Sequence, residues 1–98
     1  MSLWKRKASI TVSREVIIQN ELGLHARPAA QFVRKTNAFR SEVWIVRDQE
    51  RFSGASLIDV LRANIECGAS IILEAHGPDA ESAIDALETT LLEFTDED

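Results

Sequence analysis

The 98-residue chain holds one cysteine, Cys67, two histidines and no run of eighteen apolar residues, and its last 36 residues hold no Lys or Arg. Each absence removes a class of protein. A single cysteine closes no internal disulfide, so neither an oxidising compartment nor a stapled secreted scaffold is implied. His25 and His76 lie 51 residues apart with no second cysteine and no His-x-x-x-His spacing; no metal or other cofactor is expected. Without a long apolar run there is no candidate for membrane insertion, and Lys5-Arg6-Lys7 is not followed by the apolar stretch of a secretory signal. The expected location is the cytoplasm. What is present, 45% hydrophobic residues without internal repeat or low-complexity tract, describes one domain. A chain of this length buries roughly 60–70% of the surface it exposes when unfolded, enough for one core without staples.

The net charge of −5 is unevenly spread: residues 1–14 carry +4, 15–26 carry −2, 27–62 carry +3 and 63–98 carry −10. A nucleic-acid binder would present a net basic face, so that class is excluded. The basic middle remains available to an acidic partner or a phosphoryl group.

Residues 15–19 read as a strand from their β-branched content, and Asn20 to Gly23 as the loop that ends it. Residues 26–37 read as a helix, because Pro28 fits only a first turn and Ala29, Phe32, Val33 and Thr36 share one face. Glu42–Arg47 and Gln49–Ser53 form a hairpin across a turn at Asp48. Ser56 caps a short helix that should end near Gly68. Ser70–Ala75 alternates as a strand, with Ile71, Leu73 and Ala75 on one face. Gly77-Pro78 then opens a helix striped by Ala80, Ala83, Ile84, Leu87, Leu91 and Phe94, where Asp79 and Glu81 suit the positive N-terminal end. The order β-α-β-β-α-β-α favours an α/β (α+β) open-faced sandwich, a four-stranded antiparallel sheet covered on one face by three helices. Residues 1–14 read as an N-terminal extension ahead of a domain over 15–98, consistent with a loose arm and with Met1-Ser2-Leu3 as a cloning remnant. Ile10 and Val12 nevertheless alternate as a strand would.

The chemistry concentrates in Gly23-Leu24-His25-Ala26-Arg27-Pro28-Ala29-Ala30, where loop becomes helix. First-turn N–H groups have no intrahelical acceptor, and the helix dipole adds positive charge there. An anion held on His25 would meet the N–H groups of Ala26 and Arg27 and the Arg27 guanidinium. Imidazole titrates near neutrality, so a ring nitrogen is on hand as a nucleophile toward phosphorus. A small acid/base enzyme centred on His25 is the rival reading. It lacks an evident partner acid; Glu21 is the local candidate for a carboxylate that would activate water and so favour hydrolysis of a phosphoryl group over its transfer.

Asn20, then Gly23-Leu24-His25-Ala26-Arg27-Pro28-Ala29, then Phe32-Val33, resembles the active-site signature of HPr, the histidine-containing phosphocarrier of the bacterial phosphoenolpyruvate-dependent phosphotransferase system. The resemblance runs over residues 15–94 and includes Gly54-Ala55 ahead of Ser56-Leu57, and Gly68 before the fourth strand. It implies a phosphoryl group accepted at Nδ1 of His25 from phosphorylated enzyme I and passed to a histidine of an EIIA-type domain, with Arg27 holding the phosphoryl oxygens. Such a protein is a stoichiometric carrier and a monomer, not an independent enzyme. Ser56 matches the family's regulatory serine, modified by HPr kinase/phosphorylase where that partner exists; its local role is the helix cap. Leu57 and Leu61 fit either a core stripe or, with Ile58, the family's apolar docking patch, to which Arg34 and Arg27 supply a basic rim. Asn37 and Asp59 stand where many relatives carry a basic residue. A regulatory HPr-like protein is the alternative, including the nitrogen-related branch that Asn20-Glu21-Leu22-Gly23 and Ala75-His76-Gly77-Pro78 resemble.

Overall fold

The computed structural model describes residues 10–94. The chain forms β1 (Thr11–Ile17), α1 (Ala26–Thr36), β2 (Glu42–Arg47), β3 (Glu50–Ser53), α2 (Leu57–Arg62), β4 (Ser70–His76) and α3 (Ala80–Glu93). The strands make one antiparallel sheet in the order β1-β4-β2-β3. Its covered face supplies Val16, Ile71, Leu73, Ala75, Val43, Ile45 and Phe52 to a core closed by Ala29 and Phe32 of α1, Val60 of α2, and Ala83, Ile84, Leu87 and Leu91 of α3. This is the open-faced sandwich expected from the element order.

Three boundaries differ from the sequence reading. The first strand begins at Thr11, four residues before Glu15, so Thr11 to Arg14 of the expected arm are sheet; residues 1–9, with the remnant assigned to Met1-Ser2-Leu3, lie outside the described residues. Arg14 occupies an inward position of β1 and reaches α3, where its guanidinium donates to Asp85 at 2.6 Å and Glu88 at 3.0 Å. Those two hydrogen bonds, Asp85's foremost, raise its pKa above the ordinary arginine value. The hairpin turn takes both Asp48 and Gln49, at φ +51° and +69°, a pair of left-handed residues whose twist matches that of the flanking strands. The second helix ends at Arg62, well before Gly68, because Asn64 enters the left-handed region at φ +52°, a conformation asparagine tolerates.

Asp79 stands at the N-cap of α3 but makes no side-chain cap bond. Its carboxylate instead accepts from the Arg40 N–H at 2.9 Å, the Ser41 N–H at 2.9 Å and the Ser41 hydroxyl at 2.6 Å, clasping the segment after α1 to the start of α3. The Arg40 N–H chiefly, and then the Ser41 hydroxyl, hold this carboxyl below its ordinary value. A depressed carboxyl stabilises fully above its unfolded pKa and loses that contribution as pH falls through the lower folded one. Asp79→Asn is therefore expected to be less stable than the parent at neutral pH, the difference closing as pH drops below about 3.8. Urea unfolding across a pH series measures this; a gap independent of pH contradicts it.

Candidate functional site

The loop from Ile18 to His25 is built by a second loop. Ile18 N–H donates to the Ala69 carbonyl at 3.0 Å, Gly68 N–H to the Ile18 carbonyl at 2.8 Å, and Leu24 N–H to the Ile65 carbonyl at 2.9 Å. The buried Asn20 closes the turn, its side-chain amide donating to the Gly23 carbonyl at 2.7 Å. Gly23 sits at φ +65° with its Cα pressed on the Ile65–Glu66 backbone, and Leu24 is buried in the core. The chain is thereby tied down on both sides of the turn that delivers His25.

His25 is the N-cap of α1, in extended conformation at φ −76°, and its carbonyl accepts the Ala29 N–H at 2.9 Å. Its side chain makes no capping bond. The ring is half-buried, with Nε2 enclosed and without a hydrogen-bond partner. Ala26 and Arg27 follow with N–H groups that no helical carbonyl can reach, whereas Pro28 has no N–H to satisfy. Helix α1 has no acid in its first turn and no side-chain cap; α2 has the Ser56 cap and Asp59, and α3 has Glu81. Of the three described helices, α1 alone leaves its positive end uncompensated, an anion there being worth about 0.3–1 kcal/mol from the dipole alone.

Arg27, Arg34, Lys35 and Arg40 are exposed, and none has a carboxylate partner among the described residues. Arg27, Arg34 and Lys35 join His25 in lining one cleft of about 560 Å³ between α1 and the end of α3. Sequence reasoning singled out Arg27 and Arg34; it missed Lys35 and the cleft, since nothing local shows that α3 ends beside α1. Glu21, the acid weighed as a water activator, is exposed in the loop.

On α2 only Val60 is buried, while Leu57, Ile58 and Leu61 are 40%, 69% and 40% exposed. The core-stripe reading of Leu57 and Leu61 therefore gives way to the surface one. Three apolar side chains on two adjacent turns form a patch of the kind that marks interaction sites. Ser56 accepts the Asp59 N–H at 3.2 Å, and Asp59 in turn accepts the Ser53 N–H at 3.1 Å. Ser56→Ala should cost about 0.5–2 kcal/mol, read by denaturant unfolding. The other histidine, His76, ends β4 with Nδ1 3.0 Å from the Thr11 hydroxyl. Cys67 is exposed. Among the described residues no cluster of three His, Cys, Asp or Glu is placed for a metal, and no helix is long and apolar enough to cross a membrane.

Residues 12–93 match the family described as PTS HPr component phosphorylation site. Phosphocarrier protein HPr of Treponema pallidum is 36% identical over 77 residues, covering 79% of this chain and 88% of that protein. Phosphocarrier protein NPr of Shewanella violacea is 37% identical over 76 residues, covering 78% and 84%. The crystal structure of a phosphocarrier protein HPr from Bacillus anthracis superposes with a TM-score of 0.80 at 32% identity, over 83% of this chain and 96% of that one. With a matching family over most of its length, the same sheet order and helices, and the His25-Ala26-Arg27-Pro28 turn at an open helix end, this chain belongs to the HPr family of phosphotransferase-system phosphocarriers.

Proposed function

We propose that this protein accepts a phosphoryl group from phosphorylated enzyme I on Nδ1 of His25 and passes it to a histidine of an EIIA-type domain in the cytoplasm. The observation that carries the reading is the uncapped N-terminus of α1, where the His25 ring, its Nε2 enclosed, stands next to the first-turn N–H groups of Ala26 and Arg27 and the exposed Arg27 side chain. In the forward step the Nδ1 lone pair forms the new N–P bond as the bond from phosphorus to its donor on enzyme I breaks. The electron pair of that bond stays with the donor. The Ala26 and Arg27 N–H groups and the Arg27 guanidinium hold the phosphoryl oxygens, and their contribution grows with the charge that arrives. The product is a phosphoramidate whose group is transferred again by the reverse chemistry, so the protein turns over only with its partners.

Docking falls to the Leu57, Ile58 and Leu61 patch, with Arg27 and Arg34 as its basic rim. Such a division suits partners with an acidic surface around an apolar centre. Ile58 is the most exposed of the three, so Ile58→Glu should leave the fold intact while slowing phosphoryl transfer from enzyme I about tenfold at subsaturating protein. An unchanged rate removes α2 from the docking surface.

The direct test incubates the protein with enzyme I and labelled phosphoenolpyruvate, then adds an EIIA domain. Acid-labile label should appear on the protein and move to EIIA. A parallel incubation with ATP and HPr kinase/phosphorylase tests the regulatory role of Ser56; acid-stable label lost in Ser56→Ala supports it. Label that never reaches EIIA would leave a regulator in place of a carrier.

A further inference from the structure

Of the eight cations in the described residues, four have carboxylate partners: Arg14 with Asp85 and Glu88, Arg47 with Glu66 and Asp48, Arg51 with Glu74, and Arg62 with Asp59 within α2. The other four, Arg27, Arg34, Lys35 and Arg40, lie on α1 or just beyond its end. In a chain with 16 acids and a net charge of −5, four cations without an ion-pair partner among the described residues attract an anion, since like charges placed near one another repel. Three of the four line the cleft between α1 and the end of α3, and its volume of about 560 Å³ lies within the range of small-molecule sites.

The cleft lining includes cations from both the first and the last turn of α1. Arg27, Gln31 and Arg34 follow one another at four- and three-residue intervals, so they share one face of α1, and Ala38 lies just past its end. Seven residues separate Arg27 from Arg34, about 10 Å along the axis. Pro28 and Phe94 contribute apolar surface to the lining, and among the described residues Glu93 is its one acid.

We infer that this cleft binds a small organic bisphosphate. One phosphate sits beside His25 on Arg27 and the free N–H groups of the first turn, the other lies between Arg34 and Lys35, and an apolar spacer rests on Pro28 and Phe94. The regulatory consequence rests on the reading of His25 as the phosphoryl acceptor. A ligand so placed occupies the position of the incoming phosphoryl group, competes with enzyme I, and is expelled once His25 is phosphorylated.

Amide NMR titration of the unphosphorylated full chain tests binding without enzyme I. The probes are an α,ω-alkane bisphosphate with a six-carbon spacer, hexyl phosphate and inorganic phosphate at matched ionic strength. The bisphosphate should shift Gln31, Thr90 and Phe94 and bind at least tenfold more tightly than hexyl phosphate. Arg34→Gln combined with Lys35→Gln should erase that preference, and Glu93→Gln should increase it. Equal affinity for the two organic probes, or a preference that survives the double substitution, overturns the inference. Phosphoryl uptake from enzyme I with saturating bisphosphate then tests competition: a slowed uptake supports it, an unchanged rate overturns it. If binding holds but His25 takes up no phosphoryl group even without ligand, the carrier reading fails and the binding site stands.

Discussion

A His25→Ala variant is expected to take up no acid-labile phosphoryl group from phosphorylated enzyme I while folding as the parent does. The proposed reaction needs a neutral nitrogen lone pair at the open end of α1, and among the described residues His25 is the side chain that would bring it there; the other histidine lies at the end of β4, paired with Thr11. Removing the imidazole removes the nucleophile itself, so the loss is complete rather than graded. The fold should survive, because the ring makes no capping bond and its buried Nε2 has no partner to abandon; the stability change should stay within about 1 kcal/mol. Arg27→Ala gives the contrasting result. It removes hydrogen bonds to a charged group, worth about 1.5–3 kcal/mol, and should slow uptake by roughly 10- to 100-fold without abolishing it. Rapid-quench measurement of label with each variant separates nucleophile from oxyanion holder. Acid-labile label persisting in His25→Ala would sink the carrier assignment.

Gly23→Ala should be the most damaging single-methyl change near the site. At φ +65° an L side chain is strained by about 1–2 kcal/mol. The added Cβ would also collide with the Ile65 carbonyl oxygen and stand only 2.8 Å from Glu66 Cα. Both obstacles are backbone and cannot rotate aside, so the two loops must separate and the 2.9 Å bond from Leu24 N–H to the Ile65 carbonyl must lengthen. A combined loss of about 2–4 kcal/mol follows, a large share of the stability of a small domain. Because His25 lies two residues on, uptake should fall even in buffer where the variant remains folded. Urea midpoints and uptake rates check both halves; an unchanged midpoint would show that the loop contact is slack.

The parts of this domain legible from local pattern are those whose chemistry is local. Helix α1 was expected over 26–37 and ends at Thr36, because Pro28 and the Ala29, Phe32 and Thr36 spacing leave little else for the segment to form. Residues 70–75 were read correctly from alternation alone. The start of β1 was misplaced because Arg14 interrupts its apolar alternation, and its inward position is tolerable only with Asp85 and Glu88 waiting 71 and 74 residues away. The length of α2 was overestimated because nothing in the sequence marks Asn64 as left-handed. Leu57 and Leu61 fitted a core stripe as well as a surface patch, and only the packing of Val60 turned them outward.

The sequence by itself determined the element order and the chemical turn at His25, since both depend on residues within one or two helical turns of each other. Only the tertiary structure decided which cations remain free. Arg14, Arg47 and Arg51 are neutralised by carboxylates 71, 19 and 23 positions away, and no count along the chain reveals such pairings. Among the described residues those contacts leave Arg27 in the first turn of α1 and Arg34 and Lys35 in its last turn without carboxylate partners, so the free positive charge of the described domain lies along α1, the helix that His25 begins.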